Sequence, residues 1–185
     1  MQLVSRISLG VTVALMVAAI LLVLPVPAAG QQAPGRSKFG GPMSGTTVNV
    51  GSKAPEINAT AWINTASAVS LAASQGNVVL VEFFATWCRP CVINIPHLTK
   101  IAETYGAKGL RLVSLTQEPR DVVDRFLARH PITYPIGVGS TSGTEYGASR
   151  IPYAVLIGKD GTVIWSGHPA SSELEQHIIT SLGIK

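Results

Sequence analysis

Only two cysteines, Cys88 and Cys91, occur in the 185 residues. A structural zinc ion commonly takes four protein ligands, as two such pairs or one pair with two histidines. His97 lies six residues past Cys91, about 9 Å along a helix at 1.5 Å per residue, too far to share an ion. His130, His168 and His177 show no ligand spacing to one another. No metal site is expected. Methionine is scarce as well: Met43 is the only one beyond residue 30. No methionine- or histidine-rich copper motif is present, although two thiolates alone suit Cu(I). Charged residues make up 13% of the chain and the net charge is +4. The cations are dispersed, with no basic stripe interleaved with aromatics, so no nucleic-acid partner is expected.

One long apolar run is present. Residues 7–24 (ISLGVTVALMVAAILLVL) carry no charge, follow Arg6 and precede PVPAAGQQ. A positive start, an apolar middle and small residues after it mark a secretory signal, with cleavage after Ala28, Ala29 or Gly30. The run also approaches the roughly 20 residues of a membrane-spanning helix. Residues 1–30 are therefore read as a signal peptide or an N-terminal membrane anchor. The run contains no cysteine, which excludes a lipoprotein anchor there. Without Arg6 the charge becomes +3. Both readings place the remainder in the periplasm or another extracytoplasmic space, where disulfides persist. Residues 31–47 (QQAPGRSKFGGPMSGTT) show no helix or strand period and read as a flexible linker. The folded domain is expected over 48–185.

Within it, NVVLVEFFA (77–85) is a short continuous apolar run that suits a strand buried on both faces. Val92, Ile95, Leu98, Ile101, Ala102 and Tyr105 recur at helical spacing, with Gly106 as the stop. LRLVSL (110–115) reads as a second buried strand. PRDVVDRFLARH (119–130) reads as a helix, with Pro119 and Asp121 in its first turn. YAVLIG (153–158) and TVIWSG (162–167) form a hairpin through Lys159-Asp160-Gly161. SSELEQHIITSL (171–182) closes as a helix capped by Ser171 or Ser172, with Leu174, Ile178 and Leu182 inward. Residues 57–71 suggest a further N-terminal hairpin. The order predicts an α/β fold: a central mixed β-sheet flanked by helices, with an N-terminal β-hairpin extension.

The cysteines stand where the first strand gives way to its helix. A disulfide closing so small a loop constrains the unfolded chain little, so the pair is a poor staple. It is well placed for redox chemistry. Cys88 lies at the helix N-terminus, where unpaired N–H groups and the positive dipole end favour the nucleophilic thiolate. Pro90 is tolerated in a first turn because its missing N–H needs no partner there. Cys91, almost one turn on, can reach Cys88. Cys88 is read as the attacking thiol and Cys91 as the resolving thiol, joined as a disulfide when oxidised. Arg89 adds positive charge beside Cys88, which should lower its pKa and make the disulfide more oxidising.

VEFFATWCRPC (81–91) resembles the active site of the thioredoxin-like superfamily. Together, VGSKAPEI (50–57) and VSLAASQGNVVLVEFFATWCRPCVINIPHL (69–98) resemble the exported TlpA/ResA-type thiol-disulfide oxidoreductases, over roughly residues 48–185. The resemblance implies a thioredoxin-like fold, no bound cofactor and a monomer. It places at Glu82, six residues before Cys88, the family's buried acid. A carboxylate in an apolar strand has its pKa raised by desolvation, and it would shuttle the proton of Cys91. Pro96 matches the family's kink in the first helix. YGASRIPYAVLI (146–157) resembles the stretch with the family's cis-proline, here Pro152. The preceding residue, Ile151, would offer backbone hydrogen bonds to an extended substrate segment, as in strand addition. Trp87 would flank the site, with Arg89 and Pro90 beside it. Two positions depart from the family: Asn94 replaces a frequent acid, and Arg-Pro replaces the Gly-Pro of thioredoxin.

The implied function is disulfide reduction in exported proteins. Apocytochrome c haem-site cysteines (cytochrome c biogenesis) or a copper-site protein are the implied substrates, and a membrane electron donor is the implied partner. Two rivals use the same pair: a disulfide-forming oxidase running in the opposite direction, and a Cu(I)-handling module. A thiol peroxidase is disfavoured, because the eight residues ending at Cys88 lack the Pro-x-x-x-Thr-x-x-Cys pattern.

Overall fold

The computed structural model describes residues 48–184. The expected leader (1–30) and linker (31–47) lie outside the described residues. Among those described, six strands form one mixed sheet in the order β1-β4-β3-β2-β5-β6. The strands are β1 (Ala61–Ile63), β2 (Val78–Phe83), β3 (Leu110–Leu115), β4 (Ile136–Val138), β5 (Tyr153–Ile157) and β6 (Val163–Gly167). The helices are α1 (Arg89–Tyr105), α2 (Arg120–Leu127) and α3 (Ser172–Leu182).

β2 lies near the centre because every residue of VVLVEF is buried. It pairs parallel with β3 and antiparallel with β5. Period-2 alternation divides its side chains between two cores. Val78 and Leu80 face the layer holding Leu98, Ile101, Leu174 and Ile178, which are residues of α1 and α3. Val79, Val81 and Phe83 face the opposite layer, which Val48, Ile57 and Tyr146 help to close. The Tyr146 hydroxyl donates to the Pro55 carbonyl, fastening the N-terminal stretch over that face.

α1 runs through Pro96 to Tyr105, with Gly106, the expected stop, as its C-cap. Ser171 caps α3, its hydroxyl accepting from the Glu173 N–H at 3.3 Å. Leu174 and Ile178 are buried, and Leu182 is half-buried. The β5–β6 hairpin turns through Asp160-Gly161, with Gly161 at φ 80°. α2 is shorter than the expected 119–130: Pro119 caps its start, and Arg129 and His130 lie beyond its end.

The N-terminal hairpin expected over residues 57–71 does not form. A single strand, β1, arises there and pairs antiparallel with β4, Ala61 opposite Val138. Asn64 shows why. It adopts φ 59°, and its side-chain amide donates to the carbonyls of Ile132 (2.6 Å) and Tyr134 (3.2 Å). The chain leaving β1 is thereby tied to the approach to β4 and does not turn back on itself. Glu56 then takes the following segment, its carboxylate accepting from the N–H groups of Leu71 (2.6 Å) and Ala72 (3.1 Å). β4 itself is three residues long and closely preceded by Pro131 and Pro135. It is too short and too interrupted to show a period.

Candidate active site

Glu82, Cys88 and Cys91 belong to one continuous passage from β2 into α1. After Phe83 the chain stays tied to β3 by one bond, Phe84 N–H to the Leu115 carbonyl at 3.1 Å. It then turns, with Cys88 N–H donating to the Ala85 carbonyl at 3.0 Å. Cys88 is the N-cap of α1: its backbone is extended (φ −81°, ψ 95°), and its Sγ accepts from the Cys91 N–H at 3.3 Å. Arg89 and Pro90 fill the first turn and are exposed. Cys88 and Cys91 form a disulfide, with S–S 2.13 Å and Cα–Cα 5.3 Å. Both are buried, at 4% and 1% exposure.

Glu82 is 2% exposed. Alternation along β2 turns it, like Leu80, toward the helix layer that contains both cysteines. It stands opposite Ser114 on β3 and Ala154 on β5. The Ser114 hydroxyl donates to a Glu82 carboxylate oxygen. Burial pushes the Glu82 pKa up to about 7, with the Ser114 hydrogen bond opposing the shift. Tyr134 belongs to the same polar group. Its buried phenol is raised by desolvation and by the Glu82 charge, while Ser114 acts in the other direction.

The Ile151–Pro152 peptide bond is cis. Pro152 is buried, and Ile151, half-buried, touches both cores. Ile151 and Trp87 line one cavity of about 200 Å³, together with Phe83, Phe84, Leu115 and Glu118. Trp87 remains 66% exposed. The structure thus brings Trp87 and Ile151 to one cavity beside the disulfide loop, with Glu82 buried on the face of the sheet that the cysteines cover.

A family model described as Redoxin matches residues 49–180. The chain belongs to the Redoxin family. Among curated relatives, the thiol-disulfide oxidoreductase ResA of Bacillus thuringiensis subsp. konkukian is 28% identical over 109 residues. That match covers 56% of this chain and 63% of the relative. ResA of Geobacillus kaustophilus is 28% identical over 138 residues, covering 72% of this chain and 78% of the relative. The chain therefore spans about 63% of the first of these relatives. A crystal structure from Chlorobium tepidum, named as a candidate thiol:disulfide interchange protein DsbE, superposes with a TM-score of 0.66. It is 27% identical, covering 74% of this chain and all of that one. A solution structure from Bacteroides thetaiotaomicron, named as a candidate protein disulfide isomerase, has a TM-score of 0.65 at 25% identity. It covers 74% of this chain and 91% of that one. The fold is thioredoxin-like, and the resemblance to TlpA/ResA-type proteins stands on these relatives.

Two residues of this Redoxin domain gain meaning only from the structure. Glu118, in the loop between β3 and α2, accepts from the Thr86 N–H and from the Thr86 hydroxyl, each at 2.7 Å. It ties the segment ahead of Cys88 to a loop 32 residues away. Its sequence setting, a lone acid before the proline that starts α2, gives no sign of this. Asn94, noted as a departure from the family, is 5% exposed, and its Nδ2 has no hydrogen-bond partner among the described residues. Among the described residues no group of three or more His, Cys, Asp or Glu side chains is disposed to hold a metal ion. Nor is any described helix long and apolar enough to cross a membrane.

The arrangement can exchange two electrons. A vicinal dithiol–disulfide at a helix N-terminus supplies a nucleophile. A buried carboxyl with a pKa of about 7 can hold or release a proton on the same side of the sheet.

Proposed function

We propose that the chain is an exported thiol-disulfide oxidoreductase that reduces disulfides in other exported proteins. The observation that carries this reading is the Cys88–Cys91 disulfide at the start of α1, with Glu82 buried on the same face of the sheet. In the reduced state the Cys88 thiolate attacks one sulfur of a substrate disulfide. A mixed disulfide forms and one substrate thiolate leaves. Glu82, as carboxylate, takes the proton of the Cys91 thiol. The Cys91 thiolate attacks Cys88 Sγ, closing the disulfide now seen and releasing the second substrate thiolate. Two electrons pass to the substrate, and the two thiolates take up protons, one of them returned from Glu82. Ile151, ahead of the cis-proline Pro152, offers backbone hydrogen bonds to the substrate strand. Trp87, Arg89 and Pro90 shape the surface on which it lies.

The oxidised pair must then be reduced by a dithiol partner, which for a protein outside the cytoplasm means an electron donor in the membrane. Haem-site cysteines of apocytochrome c and copper-site cysteines are the substrates that the family resemblance favours, and a monomer suffices for the chemistry. One observation favours the opposite direction: Arg89 is exposed at the first helical position beside Cys88, where its charge stabilises the thiolate and so the reduced form. The reduction potential, measured by equilibration in dithiothreitol or glutathione buffers, decides between them. A value near −270 mV, as in thioredoxin, supports the reductase. One near −120 mV, as in DsbA, replaces it with the disulfide-forming oxidase. Titration of the reduced protein with Cu(I) tests the metal-handling alternative, which predicts one ion per dithiol.

A further inference from the structure

We propose that Glu118 is a positioning residue for the redox loop, holding Trp87 outside the apolar cavity so that the cavity stays open to a substrate side chain. This rests on the oxidoreductase reading and adds a determinant of substrate capture to it.

The segment Ala85-Thr86-Trp87 must turn the chain from β2 into α1 without a glycine or proline to fix its shape. Within the turn, Cys88 N–H donates to the Ala85 carbonyl at 3.0 Å. The polar groups of Thr86 leave the loop, and both end on one carboxylate. The N–H donates to Oε2 and the hydroxyl to Oε1, each at 2.7 Å. Two bonds on two oxygens restrain orientation as well as distance, and bonds to a charged acceptor are the strong ones. The carboxylate is itself held. Thr116 Oγ1 donates to Oε2 at 3.2 Å and accepts from the Glu118 N–H at 3.3 Å. The loop that carries it is bonded to the end of β4, Gly139 N–H to the Glu118 carbonyl and Ser140 N–H to the Thr116 carbonyl, both at 2.9 Å. The clamp therefore joins the redox loop to a rigid frame.

Trp87 follows Thr86 directly. It is 66% exposed, yet it borders a cavity lined by Phe83, Phe84, Leu115 and Ile151. Burying an indole among such side chains is favourable. Losing the Glu118 bonds would therefore favour a turn of Trp87 inward, where it fills the space itself. The Glu118 clamp opposes this self-occlusion and keeps the apolar space for a residue beside the substrate disulfide.

The test uses the full chain and its Glu118→Ala, Glu118→Gln and Thr86→Val variants. The substrates are a cystine-bridged peptide with phenylalanine beside each half-cystine, and the small hydroxyethyl disulfide. With Glu118→Ala, KM for the peptide rises about tenfold, as expected for losing charge-assisted bonds, while kcat falls much less. The small disulfide, which needs no cavity, loses less than the peptide. Glu118→Gln recovers most of the effect, because its amide oxygen still accepts the Thr86 N–H, and Thr86→Val loses part of it. Acrylamide quenching reads the loop without turnover. Trp165 is buried and Trp62 half-buried, so the quenched signal is mainly that of Trp87, and it falls in Glu118→Ala as the indole turns inward. Unchanged quenching in Glu118→Ala, an unchanged peptide KM, or equal losses on both substrates overturns the proposal. A wild-type chain that reduces neither disulfide overturns the oxidoreductase reading instead, and the quenching result still judges the clamp.

Discussion

Glu82, the one polar residue of β2, stands directly opposite Ser114 on β3, and the serine hydroxyl donates to the glutamate carboxylate. The pairing sets two effects against each other. Desolvation resists ionisation, and one hydrogen bond favours it, leaving the pKa at about 7 against an ordinary 4.5. The folded protein therefore binds a proton at Glu82 over a range where the unfolded chain does not.

Stability follows with a definite sign. A raised carboxyl pKa contributes stability that is fully present below about 4.5 and is lost as pH rises through about 7. The difference corresponds to about 3 kcal/mol at 1.36 kcal/mol per pKa unit. Glu82→Gln removes the penalty while keeping an acceptor for Ser114. Urea unfolding of the oxidised variant should show it more stable than wild type by up to about 3 kcal/mol at pH 8, and nearly equal to it at pH 4.5. Equal stability of the two at pH 8 would show that Glu82 carries no raised pKa. The same variant should resolve mixed disulfides slowly, so that function and stability move in opposite directions.

Ser114→Ala separates the two influences on Glu82. Removing the hydroxyl leaves desolvation unopposed, so the Glu82 pKa climbs further above 7. The step that needs its carboxylate then moves to higher pH. The rate of Cys91 attack on a preformed Cys88 mixed disulfide, followed from pH 5 to 9, should have its midpoint displaced upward. A midpoint that stays in place, or falls, would remove Glu82 from the proton transfer.

The roles of the cysteines make a directional prediction. Cys91→Ser should trap a stable mixed disulfide between Cys88 and a peptide disulfide, visible as a mass increase reversed by dithiothreitol. Cys88→Ser should trap none, because Cys91 lies inside the first turn and lacks the N-cap position that favours the Cys88 thiolate. Trapping through Cys91 in the Cys88→Ser variant would reverse the assignment of attacking and resolving thiols.

Much of this site was legible in the sequence because its signals are local. The strand, the cysteine pair and the helix follow one another within residues 77–105, and each has its own period or cap. Glu82 was legible as a lone charge in an apolar strand, and Pro152 through the family resemblance. What escaped depends on contacts between distant segments. β4 has only three residues and takes its place from β1 and β3, as does Gly137, where an added Cβ would lie 2.7 Å from Leu115 and 2.9 Å from Ala59. The sequence around β1 suggests a hairpin because the amide of Asn64, which redirects the chain, finds its acceptors 68 and 70 residues away. Glu118 is hidden for the same reason: its partner, Thr86, is 32 residues earlier.

Asn94 offers a last test of how far the site is built for stability. It lies on α1 three residues past Cys91, with its Nδ2 buried and without a hydrogen-bond partner among the described residues. A buried amide donor left unpaired costs about 1–3 kcal/mol, whereas an apolar group of similar size at the same place avoids that cost. Asn94→Leu should therefore leave the unfolding free energy in urea unchanged or raise it, by about 1 kcal/mol at most once the fit of the branched side chain is included. A loss of more than about 2 kcal/mol would show that the amide is hydrogen-bonded after all. If stability rises while resolution of the mixed disulfide slows, Asn94 is kept for its dipole near Cys91 at a cost to the fold, the trade expected where a polar group is buried beside reacting atoms.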